Sequence, residues 1–364
     1  MGPFPSHLPL VPQGDFLRGV NPPSQRKLKL SGRPSQSFPK LAPLLALAAL
    51  FVAVPLVLYA SGSGYAFRVA TTIGVFAILT VSANFITGTT GLLSLGHAAF
   101  YGVGAYAAAL SATGFGWPFW LTLPFAGIVT AVIGILLALP TMRLVSIHFA
   151  VATLGLGEII HVTLLNWVDF TRGPMGIPAI PGIAIPGLFK ASDVSNYFAV
   201  AVIGATAVFV IHRLTHSYYG NALRALREDD QCAETMGLDI VRLKIEVFAV
   251  SCFFAGVAGA LWSHTTGYIS PNDFRFNESI LILAMIVVGG LGSIPGAIVG
   301  ATLLLALPEV LRPIGDYRMI VVGSVMFLSI LFLPRGIFGE VSALDLVRRQ
   351  FGAAWRRDGR VGWR

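Results

Sequence analysis

The sequence predicts an all-α polytopic membrane protein of about ten transmembrane helices, between about eight and twelve, with both termini in the cytoplasm. Three observations predict it. Of 364 residues, 55% are hydrophobic and 12% charged, with a mean hydropathy of +0.76, whereas an ordinary soluble domain carries about 25% charged residues. Apolar runs close to the ~20 residues needed to cross a bilayer recur along the chain. Basic residues flank those runs with a strong bias to one side. A soluble fold so poor in charge would leave large apolar patches in water, where they drive association. A typical cytosolic enzyme, a disordered chain and a nucleic-acid binder are therefore excluded. The formal charge of +8 needs no nucleic acid to explain it, because basic flanks are what the positive-inside rule requires. Two cysteines, Cys232 in polar and Cys252 in apolar sequence, are too few for a disulfide scaffold.

Residues 1–40 hold eight of the 22 prolines and six of the 25 Lys and Arg. Such a segment cannot bury enough apolar surface to offset its ordering entropy, so it reads as a disordered basic tail. The first apolar run starts near Leu41, beyond the ~15–30-residue reach of a cleavable leader, so the first span is expected to be retained. The membrane domain covers 41–335, with spans expected at 41–60, 69–86, 92–112, 119–139, 146–168, 197–214, 245–263, 279–291, 296–311 and 319–333. The eighth and ninth are short and joined by a Gly- and Pro-rich stretch, so they read either as two spans or as one folded-back element. A second basic tail occupies 336–364. With the N-terminus inside, 19 Lys and Arg fall on the cytoplasmic side, and six fall outside (Arg68, Arg172, Lys190, Arg275, Arg312 and Arg318).

The longest polar cytoplasmic segment between spans is 215–243. Ala222 to Met236 lacks Gly and Pro and is rich in Ala, Leu, Arg and Glu, which predicts one short surface helix, with Gly237 as its C-terminal stop. Arg224 and Arg227 precede Glu228, Asp229 and Asp230. In a single helix that order opposes the dipole. The segment reads either as a helix lying on the headgroups or as a docking element for a cytoplasmic partner.

Motifs of chemistry are missing. No lysine follows a glycine, so there is no phosphate-binding loop of the G-x-x-x-x-G-K-[ST] type. No C-x-x-C, H-E-x-x-H or G-x-S-x-G occurs either, which leaves neither a catalytic constellation nor a metal site. Polar groups within spans carry the remaining signal, because ionisable residues in a bilayer are costly and face the bundle interior. Glu158 and His161 share a helix face and read either as a structural polar pair or as ligand- or proton-binding groups. Asn84, Ser94, Gly96 and His97 belong to a second such region, in which Gly88, Gly91 and Gly96 interrupt an apolar pattern. Unwound backbone at membrane depth is tolerated only when buried in protein or lining a cavity, which makes 84–97 a candidate pathway element alongside tight glycine packing. An internal repeat aligns Gly91–Ala98 with Gly290–Ala297, four of eight positions being identical, and adds Ser293 and Gly296. Paired Gly/Pro-interrupted segments mark translocation sites in many transporters. Both copies turn on the same side, as a parallel repeat does.

Six blocks follow one another in the chain: TGTTGLLSLGHAAFYGVGAYAAAL, FAVATLGLGEI, TRGPMGIPAIPG, GNALRALREDDQCAETMGLDIVRLK, FAVSCFFAGVAGALW and ILAMIVVGGLGSIPGAIVGA. Together, over roughly 65–340, they resemble the LivM-type membrane permease of branched-chain amino acid ABC importers. The resemblance implies a multi-pass protein of the bacterial inner membrane, surrounded by lipid. Its expected partners are cytoplasmic ATPase subunits, a sister LivH-type permease and an extracytoplasmic substrate-binding protein. It implies no cofactor in this chain, since ATP and Mg would be bound by the partner ATPase. The 215–243 loop then resembles the coupling helix of ABC importers, whose form is E-A-A-x-x-x-G. Gln231-Cys232-Ala233-x-x-x-Gly237 fills that frame, keeping the second alanine and the glycine. Arg224, Arg227, Glu228, Asp229, Ala233, Glu234 and Gly237 are the expected coupling residues. Asn84, Ser94, Gly96, His97, Glu158, His161, Ser293 and Gly296 are the pathway candidates. The outer loop 169–193, with its four prolines, is the expected surface for the binding protein. The alternatives are an ion-coupled secondary carrier that uses Glu158 and His161, and an ABC permease for urea or short amides.

Overall fold

The computed structural model describes residues 64–141, 146–183, 192–315, 317–332 and 336–337. The predicted N-terminal tail, the first span at 41–60, both termini and nearly all of the C-terminal tail lie outside the described residues. The helices are α1 (Gly64–Thr90), α2 (His97–Gly114), α3 (Phe119–Thr141), α4 (Ser146–Asn166), the single turn α5 (Val168–Thr171), α6 (Asp193–Thr215), α7 (Tyr218–Glu228), α8 (Asp230–Thr235), α9 (Ile240–Thr266), α10 (Phe276–Gly289), α11 (Ile294–Val310) and α12 (Tyr317–Phe332). Among the described residues the only pairing of extended backbone is one antiparallel bridge, Ile177 with Ile269. The nine expected spans from residue 69 onward each correspond to a helix, but the span expected at 92–112 becomes helical only at His97, residues 92–96 being unwound. Five of these helices are long and apolar enough to cross a membrane by length and composition: α1, α3, α4 from His148, α6 and α9. The eighth and ninth runs form two short antiparallel helices, α10 and α11, with Gly289 against Gly296 and Gly300 against Met285.

α1 and α9 form the centre. Both are apolar around most of their circumference, the pattern of a helix enclosed by others, and most of each is buried. α9 packs along α2, α3 and α1. It can do so because the seam is built from small residues, which let backbones approach where lipid supplies no hydrophobic drive between helices. Gly104 of α2 meets the backbone of Gly256, and Gly256 in turn lies against Thr130 and Ala126 of α3. Threonines inside the bundle satisfy their hydroxyls locally: Thr130 donates to Ala126 O at 2.7 Å and Thr215 to Ile211 O at 2.8 Å, the usual way to bury a hydroxyl in a helix.

At the end of α9 remote from α7, the chain 172–183 forms a strap. Ile177 and Ile269 exchange both backbone bonds, at 3.0 and 3.2 Å, and Ile180 N donates to Gly267 O at 3.1 Å. His264 Nδ1 lies 2.7 Å from Pro181 O and Nε2 lies 2.9 Å from Thr122 Oγ1. The strap is the first half of the expected outer docking loop; 184–191 lie outside the described residues.

Candidate functional site

The polar segment after α6 is two helices, not the single one that its composition predicts. α7 is amphipathic: Leu223 and Leu226 are fully buried, while Tyr218 is 87% exposed. It ends at Asp229, whose backbone is extended and whose Oδ1 accepts from Gln231 N at 2.8 Å and Cys232 N at 3.1 Å, starting α8. The break resolves the charge order. Arg227 now stands in the last turn of α7, and Asp229 and Asp230 open α8, so these three charges sit at the helix ends whose dipoles favour them, while Glu228 at the end of α7 does not. α8 closes in a double-bonded glycine stop, with Gly237 N donating to Glu234 O at 2.9 Å and Leu238 N to Ala233 O at 3.2 Å. Gly237 has φ +87° there, as its predicted stop role requires.

Glu228, Asp229, Asp230 and Glu234 are all exposed, Met236 is 84% exposed, and Ala233 is buried. The backbone N–H of Cys232 holds the Asp229 carboxyl below the usual carboxylate range, with the Cys232 thiol and the Gln231 N–H adding to the effect. In return the Asp229 carboxylate pushes the Cys232 thiol up. Lys244, buried at the start of α9, donates to Asp230 Oδ2 at 2.6 Å and ties α8 to the bundle.

Both predicted coupling arginines reach into the bundle. Arg224 Nη2 donates to Thr215 O at 2.8 Å, at the end of α6. Arg227 Nη1 donates to Gly88 O at 2.8 Å, in the last turn of α1. Each guanidinium therefore satisfies a carbonyl that the end of a helix leaves without an intrahelical partner.

Gly88, in the last turn of α1 and three residues before the first copy of the repeat, meets the second copy. A Cβ there would lie 2.5 Å from both Cα and N of Gly292, so only glycine permits the contact. Asn84, 2% exposed, fastens the joint by accepting from Gly292 N at 3.0 Å and donating to Ser293 O at 3.1 Å. Ser293 Oγ accepts from Gly296 N at 3.2 Å and starts α11. Asn84, Ser293 and Gly296 thus come together in one packed turn, on the same side as the first copy.

The first copy is unwound. Residues 91–96 are not helical, and α2 begins only at His97. His97 Nε2 lies 2.9 Å from Ser82 Oγ, eight residues before the end of α1, so the non-helical stretch climbs about 12 Å back along that helix. Leu95 N donates to Thr153 Oγ1 at 3.1 Å, and Gly96 passes against Thr153 O and Gly157 of α4. Ser251 Oγ donates to Ser82 O at 2.6 Å. Ser94 Oγ and His97 Nδ1 are buried without a partner. Ser82 and Ser251 complete this cluster and were not singled out from sequence. Ser82 stands two residues before Asn84, but a serine in a span carries no periodic signal.

Glu158 and His161 do share a face of α4, with His161 Nδ1 3.5 Å from Glu158 Oε1. The imidazole is buried, whereas the Glu158 side chain is 55% exposed on the chain. Both ring nitrogens of His161 lack a hydrogen bond. The pair is separate from the joint at Gly88. Among the described residues no group of three His, Cys, Asp or Glu side chains could hold a metal ion.

Residues 65–330 match the family model described as branched-chain amino acid transport system / permease component. The high-affinity branched-chain amino acid transport system permease protein LivM of Salmonella typhimurium is 37% identical over 292 residues, 74% of this chain and 69% of that protein. The Escherichia coli protein of the same name is 34% identical over 349 residues, 88% of this chain and 82% of that protein. The permease protein LivH of Escherichia coli is 27% identical over 293 residues, 73% of this chain and 91% of that protein. No solved structure matches the chain.

Proposed function

This chain belongs to the family of branched-chain amino acid transport system permease components, and from that premise we propose how it couples to its partners. It is the membrane-spanning permease subunit of an ABC importer for branched-chain amino acids, a multi-pass protein of the inner membrane and not an enzyme. ATP hydrolysis, with its ATP and Mg, resides in separate ATPase subunits that grip α7 and α8 from the cytoplasm. A sister permease of the LivH type completes the bundle; the relation of this one chain to both LivM and LivH supports a pair of similar halves. An external binding protein delivers the solute at the strap 172–183. Ten spans and cytoplasmic termini complete the arrangement, supported by the 19-to-6 distribution of basic residues.

One observation carries the coupling reading: Arg227 joins α7 to Gly88 O, at the contact where the end of α1, just before the first copy of the repeat, touches the second copy at Gly292. A pull on α7 is delivered there to α1, to the unwound segment 91–96 and to the α10–α11 turn. The exposed Glu228, Asp229 and Glu234, together with Tyr218 and Met236, face the partner. Glu158 supports the position of the pathway. A carboxylate facing lipid at mid-helix costs about 2.5–3.5 kcal/mol, so its exposed face of α4 belongs against the sister subunit or the aqueous path.

The test is a pull-down of tagged protein from mild detergent, comparing wild type with Arg227→Glu and Gly237→Pro. Recovery of an ATPase subunit with wild type and its loss with both variants is expected. Absence of any ATPase from folded wild type would overturn the coupling reading.

A further inference from the structure

We propose that the cleft at the end of the bundle opposite α7 and α8 binds the ammonium and carboxylate groups of a zwitterionic α-amino acid. The import reading above supplies the ligand class; the cleft itself rests on its own geometry. It encloses about 350 Å³ between the ends of α1, α6 and α9, with Arg68, Asp193, Asn196 and Trp262 in its walls. These are the three helices that run the full distance to the coupling segment. Arg68 stands 20 residues before Gly88, Asp193 stands 22 before Thr215, and Thr265 stands 21 after Lys244, each about 30 Å of helix.

The polar groups are matched to such a headgroup. Arg68 Nε donates to Asp193 Oδ2 at 3.1 Å. Among the described residues the two Nη atoms of Arg68 and Oδ1 of Asp193 take no other partner. A guanidinium edge is thus left for a carboxylate, and a carboxylate oxygen is left for an ammonium, side by side. Two residues of the walls also carry an unpaired polar atom. Asn196 Oδ1, an acceptor, and Trp262 Nε1, a donor, are both buried with no hydrogen-bond partner. Buried polar atoms are nearly always paired in native structures. Here one of each kind belongs to a residue lining one polar cleft, closed to solvent as the side chains now stand and open to a ligand once they turn outward.

The threonines of the cleft spend their hydroxyl protons within their own helices, Thr72 on Arg68 O and Thr266 on Trp262 O. They add lone pairs but no charge. One cation and one anion fit a net-neutral zwitterion better than either an amine or an acid alone. An ethanolamine lipid headgroup also carries an ammonium beside an anionic group, so the experiment separates the two sources.

The full-length chain in nanodiscs of phosphatidylcholine and phosphatidylglycerol, which lack ethanolamine, is titrated with L-leucine by calorimetry and by tryptophan fluorescence. Saturable binding is expected, weakened about tenfold or more for 4-methylpentanoate and isoamylamine, which lack the amine and the carboxylate respectively. Arg68→Gln and Asn196→Ala weaken leucine by a similar factor, and Trp262→Phe removes the fluorescence change. The milder Asn196→Ser serves if alanine impairs folding. No saturable binding, or binding indifferent to Arg68 and Asn196, overturns the proposal. So does leucine binding that is abolished once phosphatidylethanolamine is added, which assigns the cleft to lipid. Leucine uptake by cells carrying the whole transporter is measured in parallel. Uptake without binding at the cleft removes the site and leaves the import reading standing; binding without uptake does the reverse.

Discussion

Replacing Gly88 by alanine tests the joint between the end of α1 and the 290–293 turn most directly. The new Cβ would lie 2.5 Å from Cα and N of Gly292 and 2.9 Å from Asn84 Oδ1. Carbon atoms settle at about 3.5–4.0 Å, so the 290–293 turn must retreat by about 1 Å. Two of the three obstructing atoms are backbone and cannot rotate aside. The retreat strains the 3.0 Å bond from Gly292 N to Asn84 and the 3.1 Å bond from Asn84 to Ser293 O. Overpacking of this kind costs about 1–3 kcal/mol, and each lost hydrogen bond adds about 0.5–1.5 kcal/mol. The gain from alanine in a helix returns only about 0.5–1 kcal/mol. The net loss is about 2–4 kcal/mol. Gly155 of α4 is the control, because a Cβ added there meets nothing within 4 Å. Thermal unfolding in detergent should show Gly88→Ala roughly 4–8 °C below wild type, at about 2 °C per kcal/mol, and Gly155→Ala about 1–2 °C above it. A Gly88→Ala protein melting with wild type, or a Gly155→Ala protein melting as low as Gly88→Ala, would refute the packing argument.

Three further outcomes are expected. Asp229→Asn should speed alkylation of Cys232 by a maleimide near neutral pH, because the carboxylate that pushes the thiol up is gone; an unchanged rate would break that link. The Asp229 carboxyl is held low, so its contribution to α8 is present above the ordinary carboxylate value and lost as pH falls through the depressed folded one. The protection of 230–235, their exchange rate relative to the intrinsic rate at the same pH, should therefore stay even around neutrality and fall only below about pH 4, and a loss of protection nearer pH 6 would contradict the sign. Glu158→Gln should leave the pH profile of leucine uptake unchanged in cells; a displaced profile would revive an ion-coupled carrier.

Helix positions were legible because the requirement for ~20 apolar residues is a one-dimensional signal. The Gly237 stop was legible too, since a left-handed residue after a polar helix is a local demand. The start of α2 was not. Leu92, Leu93 and Leu95 are as apolar in an unwound strand as in a helix, and hydropathy does not separate the two. What decides is tertiary: Gly91 at φ +72°, and Gly96 sliding past Thr153 O. The split between α7 and α8 was readable in principle. Asp229 and Asp230 are misplaced in the middle of one helix and well placed at the start of a second, and Asp is a preferred first cap. The inward reach of Arg224 and Arg227 was not readable, because a long side chain at a helix end serves a carbonyl above or a partner below with equal ease.

The two copies of the repeat show how similar octapeptides make unequal joints. In the second copy Pro295 stands in the first turn of α11, where its fixed φ suits a helix start, and Ser293 caps the turn. The chain reverses in four residues. At the aligned position the first copy has Gly96, which carries no such preset, and Ser94 caps nothing. Its helix begins three residues later, and six residues run unwound beside α4. A tight turn capped by its own serine moves as a body, whereas an unwound stretch held by Leu95 N on Thr153 and by glycine contacts has soft dihedrals to spend. On the proposed coupling, a displacement arriving through Arg227 at Gly88 would deform 91–96, and through Leu95 and Gly96 reach α4, while the α10–α11 turn would shift without changing shape.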